Sequence, residues 1–211
     1  MSGYVDGPVR QYVADLASDK PAPGGGSAAA LAGALAAAAA SMAANFTVGR
    51  PKFAAVEVQV REALASLDGL RAELLSLVEE DVAAYSKVAP AYQMPRATEE
   101  EKAARAAAIQ KALHEACAVP LRVCAASLAV LKACETLVRL VNPMLVSDVA
   151  VGAIQAEAAF RAGQVNVEVN LRVMKDAAFV AATRARVEAD ACSARGLHDR
   201  VTKAADLRMK A

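Results

Sequence analysis

Residues 21–45 read P-A-P-G-G-G-S-A-A-A-L-A-G-A-L-A-A-A-A-A-S-M-A-A-N, and this stretch decides the fold. It carries no charged residue, and alanine is its commonest residue. Because alanine is the best helix former and is depleted from strands, the sequence predicts a helix from Ser27 to Asn45. Small residues recur at every fourth position of this helix: Ala29, Gly33, Ala37 and Ser41. They form one flat face, which suits close packing against a helix of the same chain or of a second subunit.

The composition of the whole chain favours the same fold. The 211 residues include 54 alanines, and 56% of the chain is hydrophobic although only 4% is aromatic. A chain this apolar is not typical of disorder. The 24 basic and 23 acidic residues nearly cancel, so no basic field attracts phosphates and nucleic acid is not an expected partner. The expected fold class is all-α, a single-domain bundle of long packed helices over residues 1–211.

The uncharged alanine segment is long enough to be mistaken for a membrane span. Its only large apolar side chains before residue 45 are Leu31, Leu35 and Met42, and alanine is too weakly hydrophobic to drive insertion strongly. We therefore expect a helix buried in protein and no membrane partner.

The cysteines and histidines suggest neither disulfides nor a metal. The four cysteines form no C-x-x-C pair, and Cys117 and Cys124 share one helix face, as small buried hydrophobes often do. The two histidines lack the spacing of zinc ligands, so no metal site is expected. The first residues show no secretory pattern and the cysteines fit a reducing compartment, so the expected localisation is cytoplasmic.

Apolar periodicity, caps and breakers predict helices along most of the chain. Residues 165–173 alternate apolar and polar side chains, which fits a strand, although no partner strand is evident elsewhere; from the pattern alone we favour a helix. The first three predicted helices cover residues 5–18, Ser27–Asn45 and 52–89, and Pro90 and Pro95 end the third. The fourth covers residues 98–118, from a Thr98–Glu101 capping box to a break at Pro120, and the fifth runs from there to Val141. The sixth runs from a Ser147 or Asp148 cap to Ala162, and the last begins at Asp176.

Four places carry polar groups that an alanine-rich bundle does not need, although each also fits a purely structural role. The glycines of residues 24–26 and Ser27 open a helix whose N-terminus could receive an anion or a carbonyl oxygen. Asp81 and Tyr85 share a helix face, and Asp81 falls close to the apolar stripe. The other two places are the turn that contains Asn142, Ser147 and Asp148, and the pair Asn166 and Asn170.

These four places belong to longer blocks of sequence, which occur in order over about residues 10–180. The blocks are P-A-P-G-G-G-S-A-A-A-L-A-G-A-L with S-M-A-A-N-F-T, E-D-V-A-A-Y, M-P-R-A-T-E-E-E-K-A-A-R, A-V-P-L, N-P-M-L-V-S-D-V-A-V-G and N-V-E-V-N-L. Together they resemble the cyclodeaminase/cyclohydrolase family, which includes the cyclodeaminase part of formiminotransferase-cyclodeaminase and stand-alone bacterial methenyltetrahydrofolate cyclohydrolases. The chain departs from the family's pattern at Phe46, Tyr85 and Val141, where leucine, phenylalanine and glycine are usual.

The resemblance implies an all-helical fold, a homodimer with folate bound near the subunit interface, and a helix at residues 165–173. It implies Asp81 as the first candidate for the general base and Asp148 as the second, or as the group that balances a cationic carbon. The remaining candidates for binding the substrate are Pro23, Gly24, Gly25, Gly26, Ser27, Asn45, Tyr85, Asn142, Ser147, Asn166 and Asn170.

The function expected from the resemblance is metal-independent hydrolysis of 5,10-methenyltetrahydrofolate to 10-formyltetrahydrofolate, with no cofactor besides the folate substrate. The cyclohydrolase is preferred because no formiminotransferase segment accompanies this chain. The first alternative is a formimidoyltetrahydrofolate cyclodeaminase that releases ammonia. The second is a folate-binding helical protein without catalytic activity.

Overall fold

The computed structural model describes residues 3–210, apart from the side chains of Tyr85 and Lys87. The regular structure of these residues is entirely helical, which confirms the predicted all-α fold. Short 3-10 turns lie at Tyr4–Asp6, Pro51–Val56 and Pro143–Leu145. The six α-helices are α1 (Val9–Leu16), α2 (Gly25–Asn45), α3 (Glu57–Gln93), α4 (Glu99–Leu140), α5 (Val146–Leu171) and α6 (Ala177–Met209).

The alanine helix α2 lies at the centre and packs against α3, α4 and α5. Its predicted flat face is buried, since Ala29, Ala37 and Ser41 are at most 2% exposed. A Cβ atom added to Gly33 would lie only 2.9 Å from the Leu74 side chain, and one added to Gly152 of α5 would lie 2.9 Å from a backbone carbonyl of α2. The small residues therefore let the neighbouring helices pack directly against the backbone of α2.

The large side chains of α2 face outward. Leu35 is 53% exposed and Met42 is 47% exposed, whereas the alanines between them are mostly buried. By length and composition alone, α2 and α4 are apolar enough to cross a membrane. About two thirds of each apolar stretch is nevertheless buried against other helices, which is typical of core helices.

Two proline positions differ from the prediction. The helix α3 continues through Pro90 to Gln93, and α4 continues without interruption through Pro120. A proline inside a helix removes one backbone hydrogen bond and bends the chain, but it does not unfold turns that are packed on both sides. Pro120 is buried between Val119 and Val123, so tertiary packing outweighs the local break.

The helix α5 also differs from the prediction at both ends. It begins at Val146 without a side-chain cap, so Ser147 and Asp148 lie in its first turn instead of capping it. It passes Gly163 without a break and ends at Leu171, so most of the alternating segment is helical, as the resemblance implied. Gly163 is required there by packing, because a Cβ atom would lie 2.9 Å from Cys124 Sγ.

Three of the four cysteines are buried, as the sequence predicts, and the fourth is not. All four are free, and Cys117, Cys124 and Cys134 are buried while Cys192 is exposed. Burial raises the pKa of Cys117 to about 11 and that of Cys134 to about 12. These thiols therefore stay protonated at neutral pH and serve as small apolar groups.

Replacing Gly152 by alanine tests the close contact between α2 and α5. The added methyl group must displace the α2 backbone, so Gly152→Ala should lower the free energy of unfolding by about 1–3 kcal/mol. The matched control is Gly69→Ala on the exposed side of α3, where nothing lies within 4 Å of the new Cβ. That change should raise it by about 0.5–1 kcal/mol, because alanine favours a helix more than glycine does. Urea unfolding at one fixed protein concentration measures both; a Gly152→Ala protein as stable as the wild type would contradict the packing argument.

Candidate active site

A trough of about 470 Å³ lies between α3 and α5, with α4 as its floor. The N-terminus of α2 closes one end of this trough, and the other end opens toward the end of α3. Its volume falls within the range of small-molecule sites. Among its lining residues are six that the sequence predicts for the site: Gly24, Gly25, Gly26, Asp81, Asn166 and Asn170.

The Asp81 carboxylate lies at the closed end of the trough, against the first turn of α2. Its Oδ2 atom accepts a hydrogen bond of 2.8 Å from the backbone N–H of Ser27. Burial raises the pKa of Asp81, and the Ser27 hydrogen bond opposes part of this rise. The prediction that a carboxylate beside the apolar stripe must be hydrogen-bonded or have a raised pKa is confirmed, since Asp81 shows both.

The glycines shape this end of the trough. Gly26 is buried directly against the Asp81 carboxylate, so there is no space for a Cβ atom. Gly25 faces Asn166 across the trough, where a Cβ would lie 3.6 Å from the amide atoms. Pro23 is buried and is not among the lining residues, whereas Pro21 is. The backbone therefore forms the wall here, and the first turn of α2 meets Asp81 through the Ser27 N–H.

Asn166 and Asn170 lie on the opposite wall, one helical turn apart. The Asn166 amide nitrogen donates to the Ala162 carbonyl at 2.8 Å, and that of Asn170 donates to the Asn166 carbonyl at 3.0 Å. These bonds orient both side chains along α5. Their amide oxygens accept no hydrogen bond from the described part of the chain, so they are available to a ligand that carries N–H groups.

Ser27 takes part in the site through its backbone only. Its side chain is fully buried, and its hydroxyl hydrogen-bonds to the Tyr12 hydroxyl at 3.0 Å. The Tyr12 ring packs edge-on against Tyr4, whose hydroxyl donates to the carbonyl of Ala22 at 3.2 Å. The N-terminal segment thus supports the glycine turn from behind. Tyr12 falls within the helix predicted over residues 5–18, but nothing in the sequence pattern connects it with the site.

A second group of predicted residues lies at the other end of α2. Asn45 is exposed at the last position of this helix, about 27 Å from Ser27 at 1.5 Å per residue. The backbone N–H of Asn142 donates to the Thr47 hydroxyl at 2.9 Å, which fixes the following turn against the end of α2. Ser147 and Asp148 follow in the first turn of α5. Within one chain, the structure therefore does not bring Asp148 and Asp81 together.

Two further predictions concern Tyr85 and metals. The Tyr85 side chain lies outside the described part of the chain, so its role stays a prediction. Among residues 3–210 as described, no three histidine, cysteine, aspartate or glutamate side chains converge as metal ligands. That the reaction is independent of metals and cofactors also stays a prediction.

The outer half of the trough is mostly apolar and is not among the sites that the sequence predicts. Tyr92 lies beyond Pro90, the predicted end of its helix, and Leu113 comes from α4. Val169 and Val173 extend the α5 wall beyond the two asparagines. The period-two alternation of residues 165–173 does not reveal this wall, because in the helix its apolar residues divide between the core, where Val167 and Leu171 are buried, and the trough, which Val169 and Val173 line.

A helical bundle with a ligand-sized trough and a half-buried carboxylate of raised pKa is typical of proteins that bind and transform a small molecule. The chain matches the Formiminotransferase-cyclodeaminase family model over residues 8–189, and it belongs to this family.

Three relatives illustrate the similarity. A methenyltetrahydrofolate cyclohydrolase from Methylorubrum extorquens is 38% identical over 92% of this chain and 93% of its own length. A formimidoyltransferase-cyclodeaminase from Rattus norvegicus is 34% identical over 87% of this chain, which corresponds to 34% of that longer protein. The crystal structure of a formiminotetrahydrofolate cyclodeaminase from Thermotoga maritima superposes with a TM-score of 0.86 at 29% identity, covering 95% of this chain and 96% of that one.

The raised pKa of Asp81 predicts a pH-dependent difference between the wild type and Asp81→Asn. A buried carboxyl whose pKa is higher in the folded state binds its proton more tightly there, so the wild type loses stability as pH rises from the unfolded pKa through the folded one. Asparagine carries no charge and can still accept from Ser27. The free energy of unfolding of Asp81→Asn relative to the wild type should therefore increase between acidic and neutral pH, as measured by urea titrations. A relative stability that falls as pH rises would show that the Asp81 pKa is lowered instead.

Proposed function

We propose that the protein is a methenyltetrahydrofolate cyclohydrolase that converts 5,10-methenyltetrahydrofolate into 10-formyltetrahydrofolate. The observation that carries this proposal is the half-buried Asp81 carboxylate at the closed end of the trough, held by the first turn of α2. The cyclohydrolase from Methylorubrum extorquens supports it, because the similarity extends over nearly the whole of both chains.

The chemistry needs little more than a placed water molecule and a base. The methenyl carbon lies between two nitrogens and is already electrophilic, so water attacks it as Asp81 takes a proton. The carbon–N5 bond then breaks, its electron pair goes to N5, and Asp81 returns the proton there. The carbinol oxygen releases its remaining proton as it becomes the formyl carbonyl. One water is consumed and one proton is released, because the substrate is a cation and the product is not.

The surroundings of Asp81 suit this role. A base works best with a pKa near the working pH, and burial moves the pKa of Asp81 upward in that direction. The Ser27 N–H keeps the carboxylate oriented. The amide oxygens of Asn166 and Asn170 would accept hydrogen bonds from the N–H groups of the pterin, while the glycine turn would cradle its carbonyl edge.

A homodimer would unite the two groups of site residues. The exposed surface of α2 and α5 between them is apolar, and a two-fold axis across this surface would exchange the ends of α2. Asp148, Asn142, Ser147 and Asn45 of one subunit would then lie beside Asp81 of the other, where the Asp148 carboxylate could balance the cationic carbon. The exposed apolar side chains of this surface include Leu35, Met42, Phe46, Val151, Ile154, Val165 and Val169.

The main alternative is a formimidoyltetrahydrofolate cyclodeaminase, favoured by the structural similarity to the enzyme from Thermotoga maritima. Ring closure with loss of ammonia passes through a related cyclic intermediate, and it also needs a group that takes a proton from the attacking nitrogen and delivers one to the departing ammonia. The second alternative, folate binding without turnover, requires only the shape of the trough.

We further propose that residues 1–211 act as one domain in the cytoplasm, with a folate substrate and a second copy as partners. The six helices share one main hydrophobic cluster, and the four thiols are unpaired, which fits a reducing compartment. We propose neither nucleic acid nor a membrane as a partner, and no cofactor besides the folate.

A turnover assay tests the proposed function. Purified protein should accelerate the loss of the methenyl absorbance above its spontaneous rate. Asp81→Asn should lower kcat by roughly 10²–10⁴-fold, because it removes the general base but retains the shape of the side chain. Ammonia release from 5-formiminotetrahydrofolate, without hydrolysis of the methenyl compound, would favour the cyclodeaminase. Tight folate binding without either turnover would favour the non-catalytic alternative.

Mixing two inactive variants tests the proposed dimer. If each site combines Asp81 of one subunit with Asp148 of the other, a heterodimer of Asp81→Asn and Asp148→Asn contains one intact site. A one-to-one mixture with free subunit exchange should then recover about a quarter of wild-type activity, although each variant alone is slowed at least tenfold. If both carboxylates served a site within one chain, no heterodimer would contain an intact site and the mixture would gain nothing. The doubly substituted protein mixed with itself is the negative control.

A further inference from the structure

We infer that Arg105, at the open end of the trough, binds a carboxylate of the glutamate tail of the folate substrate. This inference rests on the proposed function and extends it from the reacting end of the substrate to its other end. Three features of the Arg105 guanidinium support it: its position beside Tyr92, the contacts that hold it there, and the N–H donors that remain free.

The trough changes character along its length. Its closed end is polar, with Asp81 and the asparagines, and its middle is lined by Ala84, Val88, Leu113 and Val169. At the open end stands Tyr92, and against Tyr92 lies Arg105. A folate has the same order of parts: a hydrogen-bonding pterin, an apolar aminobenzoyl ring and an anionic glutamate.

The length of the trough agrees with this order. Asp81 and Tyr92 lie on the same helix, three turns and about 16 Å apart along its axis. An aromatic ring and two short linkers separate the pterin from the glutamate carboxylates, and a ligand of this length spans that interval. A pterin beside Asp81 therefore places the tail near Arg105.

Arg105 is held in place by groups that leave its charge unbalanced. Its Nη2 atom donates to the Tyr92 carbonyl at 3.0 Å, and its guanidinium lies 5.8 Å from the centroid of the Tyr92 ring. No carboxylate of the described residues lies within ion-pair distance of it. The nearest acid along the helix, Glu101, accepts instead from the backbone N–H groups of Ala97 and Thr98 in the capping box. The free Nη1 donors can therefore face a ligand carboxylate.

Other cations near this end are less suited. The Arg172 guanidinium is largely exposed and lies 3.7 Å from the Glu168 carboxylate, which it shares with Arg184, so it is paired and is not held in place toward the trough. Lys175 follows α5, and its backbone N–H donates to the Gln110 side chain, but its own side chain is exposed. Arg105 alone among these three combines a fixed position with an unpaired guanidinium in the described part of the chain.

The test compares two substrates that differ only in the tail: 5,10-methenyltetrahydrofolate and 5,10-methenyltetrahydropteroate, which lacks the glutamate. For the substrate with the tail, Arg105→Gln should raise KM on the order of tenfold or more while kcat changes little. For the tail-free substrate, wild type and Arg105→Gln should have the same KM. Arg105→Lys keeps the charge without the planar fork and should fall between them. Arg71→Gln, which removes a surface charge paired with Asp68 on α3, is the matched control and should behave as the wild type.

The possible outcomes separate the inference from the proposed function. Suppose that the wild type hydrolyses the methenyl substrate and that Arg105→Gln discriminates between the two substrates as the wild type does. This result would overturn the inference and leave the proposed cyclohydrolase activity intact. Loss of discrimination in Arg172→Gln instead of Arg105→Gln would also overturn it. A wild type inactive on both substrates would remove the proposed function, and the inference with it. An equal loss on both substrates would show a structural effect of Arg105 and would count against tail recognition.

Discussion

The close approach of α2 to its neighbours is the constraint on which the rest of the structure depends. Alanine buries little apolar area per residue, so this helix gains stability from tight contact more than from large side chains. Leu74 packs against Gly33, and the α2 backbone packs against Gly152, so closely that neither glycine has space for a methyl group. A helix fixed this firmly along its length has an equally fixed first turn. The position of the Ser27 N–H beside Asp81 is therefore a consequence of how the whole of α2 is packed.

This arrangement explains how a carboxylate can remain half-buried on a helix face that otherwise belongs to the core. Burial disfavours its charge, while one directed N–H and the positive end of the α2 dipole favour it. The two effects do not cancel, because the pKa of Asp81 stays raised. A group that costs stability in its charged form and lies beside a ligand-sized space is the kind of local conflict that marks functional sites.

The helices could be predicted from the sequence because they depend on local patterns, whereas the grouping of Asp81 with the glycine turn and the asparagines came from the family resemblance. Alanine content, the Thr98 cap and the position of Asp81 beside an apolar stripe are all visible along the chain. The course of α4 through Pro120 could not be predicted, because a local breaker was outweighed by packing on both sides. The outer trough was missed for a similar reason: Tyr92 and Arg105 meet only because α3 and α4 fold back on each other.

The small side chains that let α2 pack closely also leave its larger apolar side chains exposed on the surface of the bundle. Because the inward face of α2 is filled with alanine, its larger residues, such as Leu35 and Met42, remain on the outside, next to exposed valines of α5. Monomeric proteins rarely leave a large apolar patch uncovered. In the proposed dimer a second copy would cover these side chains, and the two-fold symmetry of the contact would place Asp148 of one subunit beside Asp81 of the other. Stability and activity would then depend on the same association, so that dilution would weaken both together.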